Sequence, residues 1–276
     1  MPAHFIEPGV PLLVFWVFVA AGILIQGISK SGFAGGAGIL SLPLMMLVMP
    51  VDKVTAAMLP LLVLCDMNAI YHHRRNVVWQ QVMAIFWPSL IGTVLATAVW
   101  WRVGQEGIEH YAGPIKRFVG VIAIVFALYI VAKETSMRWA EHHRAGKKTA
   151  FVAGVTAGFT SSMAHAAGPI VSLYFFSQGL GKSLFVGTVA WTFTFINLSK
   201  VPFFYLTGLL TWDVLKFDLF LIPLIPAGSW LGHWMHLRVS ESLFNRIIMV
   251  LTLIAGVQLA FDIKIIQPAL EWIAPR

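Results

Sequence analysis

Long runs without a charged side chain constrain this chain more than any other feature. Residues 8–29, 76–101 and 149–181 contain no Asp, Glu, Lys or Arg, and residues 54–73 contain only Asp66. A bilayer crossing needs about 20 mostly apolar residues. Because backbone groups must pair in lipid, and because the runs are continuous rather than alternating, helices are favoured over barrel strands. The sequence therefore predicts an all-α, polytopic integral membrane protein.

The composition agrees with this class. Of 276 residues, 58% are hydrophobic and only 11% are charged, whereas a soluble domain is about half apolar and about a quarter charged. This composition excludes disordered chains, nucleic-acid-binding domains and ordinary soluble enzymes. The net charge of +7 comes from Lys and Arg placed mostly between the apolar runs, where they face anionic lipid headgroups. We therefore expect the lipid bilayer, and no nucleic acid, as a partner.

A polar stretch divides the chain into two similar halves. Residues 133–148, KETSMRWAEHHRAGKK, form the predicted linker between a first repeat, 1–132, and a second repeat, 149–276. Each half opens with an apolar segment that breaks at a glycine-rich stretch, and three longer helices follow. This common order along both halves predicts an internal repeat.

The predicted elements give each half a broken hairpin and three transmembrane helices. The hairpins are 10–28/39–50 and 149–162/169–180, and the long helices are 54–73, 82–101 and 115–132 in the first half and 183–206, 214–236 and 244–262 in the second. The hairpins either cross the bilayer or re-enter it, so about eight to ten membrane segments are expected. In both cases each half crosses an odd number of times, and the two repeats must be inverted relative to each other.

The distribution of Lys and Arg predicts the orientation. One side of the predicted topology carries ten of these residues and the other carries seven, and residues 133–148 supply five of the ten. By the positive-inside rule this central linker is cytoplasmic. Both termini are then expected on the outer side of the membrane.

Ionisable and amide side chains at membrane depth are functional candidates, because they are costly there. Lys200 lies deep in the run that follows Lys182, and Asn197, three residues earlier, shares its helix face. The alternative role for Lys200 is a structural pair with Asp66. Lys30 lies at the tip of the first hairpin, where the alternative is that it extends to a lipid headgroup.

The glycine-rich breaks suggest how an anion could be held. A helix that restarts after a break has free backbone N–H groups and a partial positive charge, and glycine lets an anion approach closely. The alternative is close packing of helices through small residues. The predicted substrate-binding residues are Lys30, Ser31, Gly35, Gly36, Gly38, Asn68, Ser161, Ser162, His165, Gly168, Asn197 and Lys200. No catalytic residue, metal site or cofactor is predicted.

Two motifs resemble the sulfite exporter TauE/SafE family. They are GISKSGFAGGAGILSLPLMMLV at 27–48 and SMAHAAGP at 162–169, followed by Asn197 and Lys200. The resemblance covers nearly the whole chain. It implies a transporter of sulfite, organosulfonates or related sulfur anions in the bacterial inner membrane, without ATP hydrolysis. In that membrane the outer side, where the charge distribution places both termini, is the periplasm. A non-transporting accessory subunit and a membrane-embedded enzyme are the alternatives, and a homodimer is left open.

Overall fold

The computed structural model describes residues 3–32, 36–73, 75–142 and 144–263, and these residues are helical without any strand. The helices are α1 (Leu12–Gly32), α2 (Ser41–Met46), α3 (Val51–His73), α4 (Trp79–Glu106), α5 (Ile108–His142), α6 (Lys147–Ala164), α7 (Gly168–Ser177), α8 (Lys182–Leu206), α9 (Trp212–Leu221), α10 (Leu224–His236) and α11 (Glu241–Phe261). Short 3-10 segments cover Ala3–Phe5 and Gly36–Leu40. The predicted all-α class is confirmed.

Six helices in the described part of the chain are long and apolar enough to span a membrane. These segments are Leu12–Lys30, Val51–Tyr71, Trp79–Glu106, Ile108–Ala132, Lys182–Leu206 and Ser242–Phe261. Their outward faces carry exposed apolar side chains such as Trp87, Leu95 and Leu128, as expected of surfaces that contact lipid. The chain is therefore a multi-pass membrane protein.

The helices α9 and α10 form one bent apolar segment where a single helix, 214–236, was expected. They meet at a bend of 41° and count together as a seventh candidate span. Pro223 lies at the break, and proline cannot donate the backbone hydrogen bond that would continue the helix. The expected eight to ten segments also included the hairpin arms, but α2 and α7, with 6 and 10 residues, are too short to cross.

The predicted linker is partly helical. Helix α5 continues to His142, and only residues 143–146 separate it from α6. The polar composition of 133–142 therefore does not end helix α5.

The pattern of contacts between helices stays the same when the two halves of the chain are interchanged. In chain order α1, α2, α3, α4 and α5 correspond to α6, α7, α8, the bent α9–α10 segment and α11. Helix α1 packs on α10 as α6 packs on α4, and α3 packs on α8 and α5 on α11 across the two halves. This exchange supports the predicted repeat, and the inverted orientation of the halves stays a prediction.

Glycines allow the closest of these helix contacts. A Cβ atom at Gly158 of α6 would lie 2.0 Å from the carbonyl oxygen of Ser89 on α4, and one at Gly92 of α4 would lie 2.0 Å from that of Val155. Helices α1 and α10 approach in the same way through Gly27 and Gly228. Small residues therefore fix the first helix of each hairpin against the opposite half.

Candidate anion-binding site

A cavity of about 100 Å³ lies between the two broken hairpins. Its polar or glycine lining residues are Gln26, Lys30, Gly38, Asp66, Ser161, His165, Gly168 and Asn197, and apolar side chains of α3 and α8 complete the wall. The first half provides Gln26, Lys30, Gly38 and Asp66, and the second half provides the others. The cavity is thus built by both halves at once.

Asp66 of α3 links two cavity residues. Its Oδ1 atom accepts a hydrogen bond and ion pair from Lys30 of α1, and its Oδ2 atom accepts a hydrogen bond of 2.5 Å from the amide of Asn197 on α8. The ammonium of Lys30 also lies 5.6 Å from the ring centroid of Phe193, within the range of a cation–π contact. Asp66 is only 1% exposed, so its charge is satisfied by these partners rather than by bulk water.

Lys200 lies one step behind the cavity wall, completely buried. Its Nζ atom is 3.2 Å from the carbonyl oxygen of Ser161, 3.0 Å from the Ser161 hydroxyl and 3.1 Å from Nδ1 of His165. An ammonium group has three N–H donors, and these three contacts use all of them. Within the described ranges no carboxylate pairs with Lys200. Ser161 and His165, which line the cavity, lie between the Lys200 ammonium and the cavity.

His165 ends helix α6 with a left-handed backbone, φ 49° and ψ 32°. Such a conformation is uncommon for a residue other than glycine and is concentrated at functional sites. Its Nε2 atom lies 2.9 Å from the carbonyl oxygen of Thr55 on α3. Because Nδ1 accepts from Lys200, Nε2 must carry the hydrogen that is donated to Thr55, and the imidazole is assigned as neutral.

With both of its lysines protonated, the site carries a net positive charge. Lys30 and Lys200 contribute two positive charges, Asp66 contributes one negative charge, and the imidazole of His165 is neutral in the assigned hydrogen-bond network. An uncompensated charge at membrane depth is costly. A bound anion would remove this imbalance, so the arrangement favours an anionic ligand.

The two breaks differ in the backbone groups that they offer. The N–H of Gly38 donates to the Ser29 hydroxyl at 2.8 Å and is therefore occupied. At the second break α7 begins at Gly168, next to the cavity, and Pro169 follows it. The N–H groups of a first helical turn have no acceptor within the helix, so the start of α7 can donate to an anion.

The structure places the predicted site residues in different surroundings. Lys30, Gly38, Ser161, His165, Gly168 and Asn197 line the cavity, and Lys200 supports it from behind. Asn68 instead lines a second cavity of about 600 Å³ with Ser229 and His233. Ser162 faces α4, where its carbonyl accepts from the indole of Trp100 at 3.2 Å. Gly36 begins the 3-10 segment, while Gly35 and the side chain of Ser31 lie outside the described residues.

Two cavity residues were not among the predicted site residues. Asp66 was considered as a membrane-depth polar group with a structural pair to Lys200 as one possible role, but it pairs with Lys30 and Asn197. Gln26 accepts a hydrogen bond of 3.2 Å from the Ser41 hydroxyl and so joins α1 to α2. Both have a sequence signal, since each is a polar interruption of an apolar run.

The fold and the site define a class: a polytopic helical membrane protein with a cavity between two broken helical hairpins, at which lysines outnumber carboxylates. The family described as Sulfite exporter TauE/SafE matches residues 18–259, which is nearly the whole chain. The chain belongs to this family, which comprises membrane transporters of sulfur anions. Neither the curated proteins nor the solved structures contain a significant match.

Proposed function

We propose that this protein is a secondary transporter of a small sulfur oxyanion, most simply sulfite, in the bacterial inner membrane. The observation that carries the proposal is the excess of basic over acidic side chains at the cavity. Lys30 and Lys200 outnumber Asp66 there. Organosulfonates are the alternative substrates, because their sulfonate group presents the same oxygen acceptors.

The donors around the cavity suit an oxyanion. Sulfite has only oxygen acceptors when it is fully ionised, and Lys30, Asn197 and the first turn of α7 supply donors from three directions. Charge-assisted hydrogen bonds of this kind are the stronger ones in proteins. The carboxylate of Asp66 bonds to both Lys30 and Asn197. We therefore propose that the substrate binds by displacing Asp66 from Lys30.

The origin of the cavity walls supports a mechanism of alternating access. Helices α1 and α3 come from the first half, and α6, α7 and α8 come from the second half. A movement of one half relative to the other would open the cavity to one side of the membrane and close it to the other. In the proposed orientation residues 133–148 are cytoplasmic and both termini are periplasmic.

The test is transport by the purified protein in proteoliposomes. Efflux of labelled sulfite, sulfoacetate, taurine and sulfate is compared between the wild type, Lys30→Met and the control Lys182→Met, which removes an exposed lysine from the start of α8. We expect efflux of sulfite or an organosulfonate from the wild type and the control, and a loss of efflux in Lys30→Met. No transport of any of the four compounds by folded wild-type protein would overturn the proposal.

A further inference from the structure

Asp218 is a buried carboxyl group that the anion site does not use. It lies on α9, one turn before the bend between α9 and α10, and is 3% exposed. Among the residues that the structure describes, neither of its side-chain oxygens has a hydrogen-bond partner. Its neighbours on the buried face of α9 are Val214, Phe217 and Leu221, so its surroundings on that helix are apolar.

The charged groups on the neighbouring helices do not compensate Asp218. Helix α9 packs on α3, which carries Asp52, Lys53 and Asp66, and Phe217 contacts rings at the start of α1. Asp52 and Lys53 pair with each other at 3.1 Å, and Asp66 pairs with Lys30. Cys65 and Tyr71 on α3 and His4 near Phe5 are the other titratable groups on these elements whose side chains the structure describes, and none bonds to Asp218.

An ionised carboxylate needs donors or a counter-ion when it is buried. In the described structure Asp218 has neither, whereas a protonated carboxyl group is neutral and much less costly to bury. The corresponding position in the first half, six residues after Trp79 as Asp218 is six residues after Trp212, holds the fully buried Ile85. The apolar counterpart indicates that packing alone does not require an acid here.

We infer that Asp218 is the proton-binding site that couples proton movement to anion transport, an inference that rests on the proposed transport function. While α9 holds Asp218 in its buried position, the carboxyl group keeps its proton. Movement of α9 about the bend exposes the group to water, the O–H bond breaks, the proton passes to water and the carboxylate remains. Return of α9 to its buried position requires a proton to bind again. Helix α3 links this site to the anion site, because it packs on α9 and its Thr55 carbonyl accepts from His165.

The experiment compares Asp218→Asn with Asp213→Asn. Both variants replace an aspartate carboxyl group on α9 by an amide that cannot exchange a proton, but Asp213 is exposed and lies 3.9 Å from Lys216. In proteoliposomes we expect a proton gradient to drive net sulfite accumulation by the wild type and Asp213→Asn. In Asp218→Asn the accumulation should fall to the level without a gradient, while sulfite–sulfite exchange, which needs no net proton movement, continues. Gradient-driven accumulation by Asp218→Asn would overturn the inference.

A second measurement does not depend on the substrate. Infrared spectra of the reconstituted protein at neutral pH should contain a protonated carboxyl band that is lost in Asp218→Asn and retained in Asp213→Asn. If the wild type moves no sulfite but this band is lost in Asp218→Asn, the proposed function fails and the proton site is supported. If the band is unchanged in Asp218→Asn, the carboxyl group is ionised and the inference is wrong. Continued sulfite–sulfite exchange by Asp218→Asn shows that this variant is folded. If Asp218→Asn shows no exchange, the infrared band alone decides whether Asp218 holds a proton.

Discussion

The ammonium of Lys200 lies 3.1 Å from Nδ1 of His165, and this contact places the deepest lysine behind the anion cavity rather than inside it. His165 lines the cavity and contacts α3 through the Thr55 carbonyl. Lys200 therefore holds the His165 ring and Ser161 in position and adds its charge to the site from the second layer.

Replacing Lys200 should weaken anion binding through the loss of its charge and of its hold on Ser161 and His165. We expect Lys200→Met to lower the affinity for sulfite by about 1.5–3 kcal/mol, the range for hydrogen bonds to charged groups. Lys200→Arg should also bind poorly, because a planar guanidinium cannot reproduce the three contacts of the ammonium. Titration calorimetry of the purified variants measures the change, and Lys182→Met is the matched control. Wild-type affinity in folded Lys200→Met would remove Lys200 from the site.

Asp66 should compete with the substrate for Lys30. Asp66→Asn removes the internal negative charge, so sulfite should bind about tenfold more tightly, or about 1.4 kcal/mol, and leave more slowly. Lys30→Met should instead abolish tight binding. Equilibrium binding and efflux rates report the two effects separately. Unchanged or weaker sulfite binding by well-folded Asp66→Asn would contradict the displacement of Asp66 by the substrate.

The left-handed backbone of His165 predicts which substitutions the site tolerates. Asparagine is favoured in this conformation, whereas alanine adopts it at a cost of about 1–2 kcal/mol. We therefore expect His165→Asn to melt at a higher temperature than His165→Ala. Both variants should bind sulfite more weakly, because neither can bridge Lys200 to Thr55. Equal melting temperatures would show that the backbone conformation is not the limiting factor.

Gly158 should be essential for packing α6 against α4. An added Cβ would lie 2.0 Å from the Ser89 carbonyl oxygen, so Gly158→Ala must displace one helix and should cost several kcal/mol. Gly113 on α5 is the control, because a Cβ there meets nothing within 4 Å. Gly113→Ala should raise stability by about 0.5–1 kcal/mol through helix propensity. Thermal unfolding in detergent distinguishes the two, and a stable Gly158→Ala would refute the close contact.

The orientation can be tested by labelling the central linker. In a Cys65→Ala background, Ser136→Cys should react with a membrane-impermeant thiol reagent only after the cells are opened, since residues 133–148 are proposed to be cytoplasmic. The measurement compares the amount of reagent bound to Ser136→Cys before and after cell lysis. Labelling of intact cells would reverse the proposed orientation.

The helical membrane class and most of the long helices could be predicted from sequence, because a run of about 20 apolar residues has few other stable structures in lipid. The predicted helix 183–206 corresponds to α8 at Lys182–Leu206, and 54–73 lies within α3. The glycine-rich breaks were also predicted, because these residues neither favour long helices nor cover lipid-facing surface. The bend between α9 and α10 was missed, although Pro223 was its local signal.

The pairing of charges was decided only by tertiary structure. Lys30 and Asp66 are 36 positions apart, and Asp66 and Asn197 are 131 apart. Which side chains meet depends on how far each helix is rotated about its axis, and this rotation is set by packing such as that of Gly158 on Ser89. Periodicity could therefore place Asn197 and Lys200 on one helix, but it could not show that Asn197 contacts Asp66 while Lys200 supports His165. The sequence alone determined which segments enter the membrane, and the packing of helices from both halves determined which polar groups share the cavity.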